Sequence, residues 1–154
     1  MRLVMGKFAT GVVVVTTVDN FGQPHFMTAN SLTSVSLVPP LILISVGHER
    51  NSFKWLTETG RFGISILRSD QQAIARQYSL SEKDDYEVAS IPYDLNSHSV
   101  PMVSGCLGFL ECAIQNQHVY GDHTVFIGLV KKTKIYAGSP MLIFDAKWAQ
   151  MTGD

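Results

Sequence analysis

The sequence predicts a mainly β protein, an antiparallel barrel that is closed or partly closed. Three observations carry that prediction: strand-type runs far outnumber helical ones, glycine-containing turns punctuate them, and helical periodicity is confined to a minority of the 154 residues. Leu3, Val4 and Phe8 fall on one face of a short helix that Gly11 could end. Residues 12–18 form a β-branched run of strand type, and Asp19-Asn20-Phe21-Gly22 reads as a turn in which Gly22 supplies a positive φ. Residues 23–28 return as the second arm of that hairpin. Further strands are expected over 31–37, 41–46, 62–67, 106–118, 124–132 and 141–144. Two more helices are expected. In the first, Asn51 or Ser52 is the N-cap, and Phe53, Trp55 and Leu56 lead to a stop at Gly60. In the second, Asp70 caps residues 71–78, with Ile74 and Tyr78 on one face. Between Ser79 and Gly105 the periodicity vanishes. That stretch reads as a wrapping or lid segment rather than a linker, because Tyr86, Ile91, Tyr93 and Val100 offer apolar anchors.

Composition narrows the function classes. A chain of this length fits one domain, 1–154, with a sizeable core. Charged residues make up 16%, against roughly a quarter in average soluble domains. This deficit, with a mean hydropathy of +0.12, suggests more hidden surface than a monomer provides and points to a symmetric dimer. A net charge of -1 provides no basic field for nucleic acid or acidic membrane surfaces. No apolar stretch reaches the length of a membrane span and no signal-peptide pattern is seen, so a cytoplasmic location is expected. Cys106 and Cys112, six residues apart in what reads as one strand, cannot pair there and are expected as free, partly buried thiols.

The most informative segment is 27–40, which carries Thr28, Asn30, Ser31, Ser34 and Ser36 with no charged side chain. Small residues let a ligand approach the backbone, and the hydroxyls and amide supply donors and acceptors for something neutral and flat. An ordinary strand with a solvated hydroxyl face would have the same composition. The sequence has no G-x-G-x-x-G, P-loop or G-x-S-x-G pattern, so a nucleotide cofactor would have to be held in another way. His118 and His123 are the only close histidine pair. Their odd separation places them on opposite faces of a regular strand and argues against a shared metal, although Gly121-Asp122 could rotate the register. Gly121-Asp122-His123-Thr124 opens a strong strand, from which a side chain can be aimed by a rigid scaffold.

Gly6-Lys7-Phe8-Ala9-Thr10-Gly11-Val12, Val14-Val15-Thr16-Thr17, Met27-Thr28-Ala29-Asn30-Ser31, Ser34-Val35-Ser36 with Pro39-Pro40, and Gly121-Asp122-His123-Thr124 occur in the order and spacing of the short-chain flavin reductases. The chain resembles that family over nearly its whole length. The resemblance implies an antiparallel Greek-key split β-barrel homodimer. It also implies FMN or FAD bound near the subunit interface, NADH or NADPH as hydride donor, and delivery of reduced flavin to a flavin-dependent monooxygenase. By the same resemblance, Met27, Thr28, Ala29, Asn30 and Ser31 line the isoalloxazine and ribityl chain, and Ser45, Val46 and Gly47 continue that wall. Ser52 meets the phosphate at a helix N-terminus, with Arg50 close enough to add charge, and His123 positions the nicotinamide. Leu32 departs from the family's usual Phe and Trp148 from its usual Tyr. Two rivals share the barrel: an FMN-binding electron-transfer protein without multiple turnover, and an enzyme of the pyridoxamine-phosphate-oxidase type. The latter would gather basic residues that are not seen here.

Overall fold

Seven strands form the main sheet, and its two edge strands are consecutive in the chain. The structure, a computed structural model, describes residues 1–79, 92–95, 99–149 and 151. The sheet contains β2 (Val13–Val18), β3 (Pro24–Ala29), β4 (Thr33–Leu37), β5 (Pro40–Gly47), β6 (Arg61–Ile66), β9 (Gly108–Tyr120) and β10 (His123–Ile135). Their order is β3-β2-β6-β9-β10-β5-β4 and every pairing is antiparallel. The chain leaves edge strand β3 at Ala29 and enters the other edge, β4, at Thr33. At roughly 3.5 Å per residue, that short link can span only about 14 Å. The sheet must therefore roll until its edges nearly meet, which makes a barrel split between β3 and β4.

Two cores account for the long valine run. Val13 and Val15 point into the barrel with Met27, Ile44, Val46, Leu56, Phe62, Ile64 and Phe126. Val12 and Val14 face the other way, into a second cluster with Leu67, Ala75, Val103 and Met141. A strand buried on both faces needs no polar alternation, so all six residues of β2 are buried. Phe62 fills the barrel centre because β10 presents Gly128 there; a Cβ at that position would lie 2.5 Å from Phe62 Cζ. Helix α2 (Asn51–Thr59) packs on β2 and β3 and ends at Gly60, whose φ of 65° is the left-handed stop expected from the sequence.

The expected strands are present, with extra pairing that the sequence did not signal. β1 (Thr10–Gly11), β11 (Leu142–Phe144) and β12 (Lys147–Ala149) make a three-stranded sheet, and β7 (Tyr93–Asp94) pairs with β8 (Met102–Val103). The Asp19 to Gly22 turn forms as read: the Gly22 amide donates to Asp19 O at 3.1 Å, and Asp19 Oδ1 accepts from the amides of Phe21 and Gln23. Burial opposes ionisation of Asp19, but those two amides and His25 together hold its carboxyl below the usual range.

Several expectations are corrected. Helix α1 (Arg2–Met5) ends at Gly6 rather than Gly11, which belongs to β1, and Phe8 lies beyond it; Leu3 and Val4 are 86% and 74% exposed. Neither Asn51 nor Ser52 caps α2. Arg50 is the N-cap residue, no side chain caps it, and Ser52 sits inside the first turn. Asp70 does not cap α3 (Gln72–Gln77) either; its carboxylate is drawn into a bidentate pair with Arg68, and Gln71 is the N-cap residue. Ile74 and Tyr78 do share the face packed on the second core. Cys106 precedes β9 instead of lying in it; both thiols are free and buried. In the expected wrapping segment, residues 80–91 (including Tyr86 and Ile91) and 96–98 lie outside the described residues. Of its other anchors, Val100 is buried and Tyr93 lies 5.6 Å, ring to ring, from Phe26.

Candidate functional site

At the open edge of the split lies a cleft of about 210 Å³. Met27, Thr28, Ala29, Asn30 and Ser31 line it from one side of the split, Ser45, Val46 and Gly47 of β5 from the other, and Glu49, Arg50 and His123 complete the lining. Apart from Ser52, the structure brings together every residue that the sequence assigns to the site. Glu49 is the addition.

The register explains the cleft. Thr33 pairs with Leu43, so a continued ladder would set residue 31 opposite Ser45. The backbone instead turns away towards β3, which would strand the main-chain polar groups of Ser45. The Ser31 side chain takes over: its hydroxyl donates to Ser45 O at 2.8 Å and accepts from the Ser45 amide at 3.1 Å. One oxygen thus replaces a rung of sheet and keeps both walls in register.

Thr28 anchors the first wall to α3. Its amide donates to Tyr78 O at 3.0 Å and its hydroxyl to Ala75 O at 2.8 Å, satisfying carbonyls at the helix C-terminus. These contacts correct the reading of the hydroxyls and amide of segment 27–40 as a row of ligand donors. The hydroxyls of Thr28 and Ser31 are engaged by protein, Asn30 Nδ2 donates to Thr10 Oγ1 at 3.2 Å, and Ser34 and Ser36 sit on β4, outside the cleft lining. The wall offered to a ligand is therefore mostly backbone and small neutral surface.

The rim is built where two turns meet. His123 pairs with Gly47 across β10 and β5, and the His48 amide donates to Asp122 O at 3.0 Å. Asp122 Oδ1 lies 2.7 Å from His123 Nδ1, which fixes the imidazole and leaves Nε2 for a ligand. That hydrogen bond is the main reason the Asp122 carboxyl is held below the usual carboxylate range. A lowered value means the pairing is intact at neutral pH and lost as pH falls through it. Arg50 donates from Nη1 to Ser79 O at 3.0 Å, so its guanidinium stays beside the cleft. Ser52 is buried with its hydroxyl directed to Phe26 O at 3.4 Å and does not line the cleft.

Among the described residues no group of three or more His, Cys, Asp or Glu could hold a metal ion. His118 and His123 lie on neighbouring strands, where their pairing partners are Val125 and Tyr120. Burial pushes the Cys112 thiol up to about 12 and raises that of Cys106, so neither supplies a thiolate near neutral pH. No described helix is long and apolar enough to cross a membrane. A second hollow of about 140 Å³ shares Thr28, Ala29 and Asn30 with the cleft and is otherwise lined by Val12, Ser79, Ile143 and Trp148. Sequence reasoning missed Glu49, whose only signal was its place between Gly47 and Arg50, and the hold of Asp122 on His123, which the Gly-Asp-His triplet did carry.

Comparison with known proteins agrees over nearly the whole chain. The flavin reductase like domain family matches residues 5–151. An NADH-dependent FAD reductase of Streptomyces globisporus is 36% identical over 160 residues, covering 100% of this chain and 86% of that protein. The reductase subunit HsaB of a flavin-dependent monooxygenase from Rhodococcus jostii is 28% identical over 154 residues, covering 99% and 77%. The solved structure of the flavin reductase PheA2 superposes with a TM-score of 0.90 at 34% identity, covering 99% of this chain and 96% of that one.

The Ser31 bridge yields a direct test. Ser31→Ala leaves the amide and carbonyl of Ser45 without that partner and is expected to cost about 1–3 kcal/mol by denaturant unfolding. Ser31→Thr, which keeps the hydroxyl, should recover much of that loss. An Ala variant as stable as the parent would show that the bridge is not what holds the walls.

Proposed function

The chain belongs to the flavin reductase like domain family, and on that premise we propose that it is an NADH-dependent flavin reductase that reduces FMN or FAD in the split-side cleft and passes the reduced flavin to a partner monooxygenase. The lining of the cleft carries this reading. A lining of backbone and small neutral side chains suits a flat ring system, and the Arg50 guanidinium at the rim suits an anionic tail. Relatives whose names specify NADH, FAD and a monooxygenase partner support the choice of donor, flavin and recipient.

When bound, the flavin supplies the redox chemistry itself by accepting hydride from the nicotinamide. Position and electrostatics come from the chain. Met27, Thr28, Ala29, Asn30 and Ser31 support one side of the ring system, and Ser45, Val46 and Gly47 continue that support. Arg50 meets the phosphate. Ser52, committed to Phe26 O, acts one step back by holding α2 against β3. His123, its ring direction set by Asp122, orients the nicotinamide from the rim. No protein nucleophile is needed, in keeping with protonated, buried thiols and a cleft whose walls are neutral.

The working unit in this reading is a homodimer whose second copy completes the site. Small-molecule sites usually enclose about 300–1,000 Å³, more than the 210 Å³ one chain provides. Leu3, Val4, Phe8, Leu37 and Val38 are exposed apolar groups suited to an interface.

Steady-state oxidation of NADH with excess free FMN or FAD should proceed for many turnovers per chain; oxidation stopping at one equivalent of bound flavin would identify an electron carrier instead. In the same assay His123→Ala should lower kcat/KM for NADH about tenfold or more while changing flavin affinity less than about twofold. An unchanged kcat/KM removes the assigned role. Sedimentation at micromolar concentration is expected to report a dimer, and a 17.0 kDa monomer with normal turnover would contradict the shared site.

A further inference from the structure

We infer that Glu49 sets the discrimination of the cleft among flavins by charge, its carboxylate competing with a flavin phosphate for the Arg50 guanidinium at the rim. The inference rests on the reading of the cleft as the flavin site. Glu49 keeps its carboxylate beside the cleft while remaining largely exposed. It folds back over β5, where a Cβ on Gly47 would lie 2.6 Å from Glu49 Oε1 and 2.7 Å from Oε2. The missing side chain at position 47 leaves that space open to it. From there Oε1 faces Arg50 Nε at 3.9 Å, a long ion pair, while the guanidinium is fixed on its other side by Ser79 O.

Among the described residues lining the cleft, the charged side chains are then one guanidinium, Arg50, and one carboxylate, Glu49. A neutral ring system such as riboflavin meets no charge penalty here. A phosphate dianion has to displace Glu49 from Arg50 or share the space with it. Since the Glu49 side chain is 70% exposed and that of Arg50 34%, solvent screens the effect and keeps it moderate. The result is a site that binds phosphorylated flavin loosely enough to release it, as a supplier of reduced flavin requires.

Fluorescence titration of FMN and of riboflavin against the whole protein tests this. Glu49→Gln, which preserves size and removes charge, should tighten FMN by about fivefold, leave riboflavin within about twofold, and lose its gain as salt rises. An equal gain for both flavins would mean that Glu49 obstructs by bulk. No change for FMN would likewise overturn the proposal. Asn30→Trp, at an exposed lining position, separates the two readings. If it weakens both flavins while Glu49→Gln does nothing, only the role of Glu49 fails. If it weakens neither, the cleft is not the flavin site and the role of Glu49 falls with it.

Discussion

The paired hydrogen bonds between the Ser31 hydroxyl and the backbone of Ser45 are the constraint on which the rest of the site depends. A rolled sheet whose edge strands follow one another in the chain must either zip shut or leave edge groups unpaired, and unpaired main-chain groups are costly where water is partly excluded. Here the ladder stops at Thr33 and Leu43, and a side-chain oxygen supplies the next rung. The barrel is thereby held without being closed. The backbone of 27–31, freed from pairing with β5, forms a wall instead of a strand partner.

Each neighbour of that wall is placed by the same economy of polar groups. Thr28 satisfies carbonyls at the end of α3, which rests on the outer face of β2, so the second core fixes the angle of the cleft. Arg50 reaches the same helix end through Ser79 O. On the far side, the turn after β5 and the turn before β10 are joined through the His48 amide and Asp122 O, and this sets His123 opposite Gly47. The site is therefore an end of the barrel where three connections interlock, with rigid strands behind each.

Much of this could be read from the sequence where pattern alone decides. The β-branched run at 12–18, the Asp19 to Gly22 turn and the glycine stop at 60 each have one low-energy solution, and the structure adopts them. The membership of the cleft came from two sources: the dense small and neutral residues of 27–31 stood out by themselves, whereas 45–47 entered only through the resemblance to the flavin reductases. What the sequence could not reveal is where hydroxyls point. Thr28 and Ser31 look like ligand donors until tertiary contacts engage them, and Ser52 looks like a cap until Phe26 O claims it. The expected cap at Asp70 failed for a similar reason, because the nearby Arg68 guanidinium outcompetes backbone amides for a carboxylate. Glu49 was invisible because its position depends on the absence of a Cβ two residues earlier, a relation no local periodicity records.

Amide hydrogen exchange of the free protein with and without saturating FMN tests the central claim most directly, since both walls of the cleft include main chain. The account predicts slower exchange in peptides covering 27–31 and 45–50, and at His123, with little change in peptides covering β2. Protection confined to other parts of the barrel, with both walls exchanging as before, would contradict it.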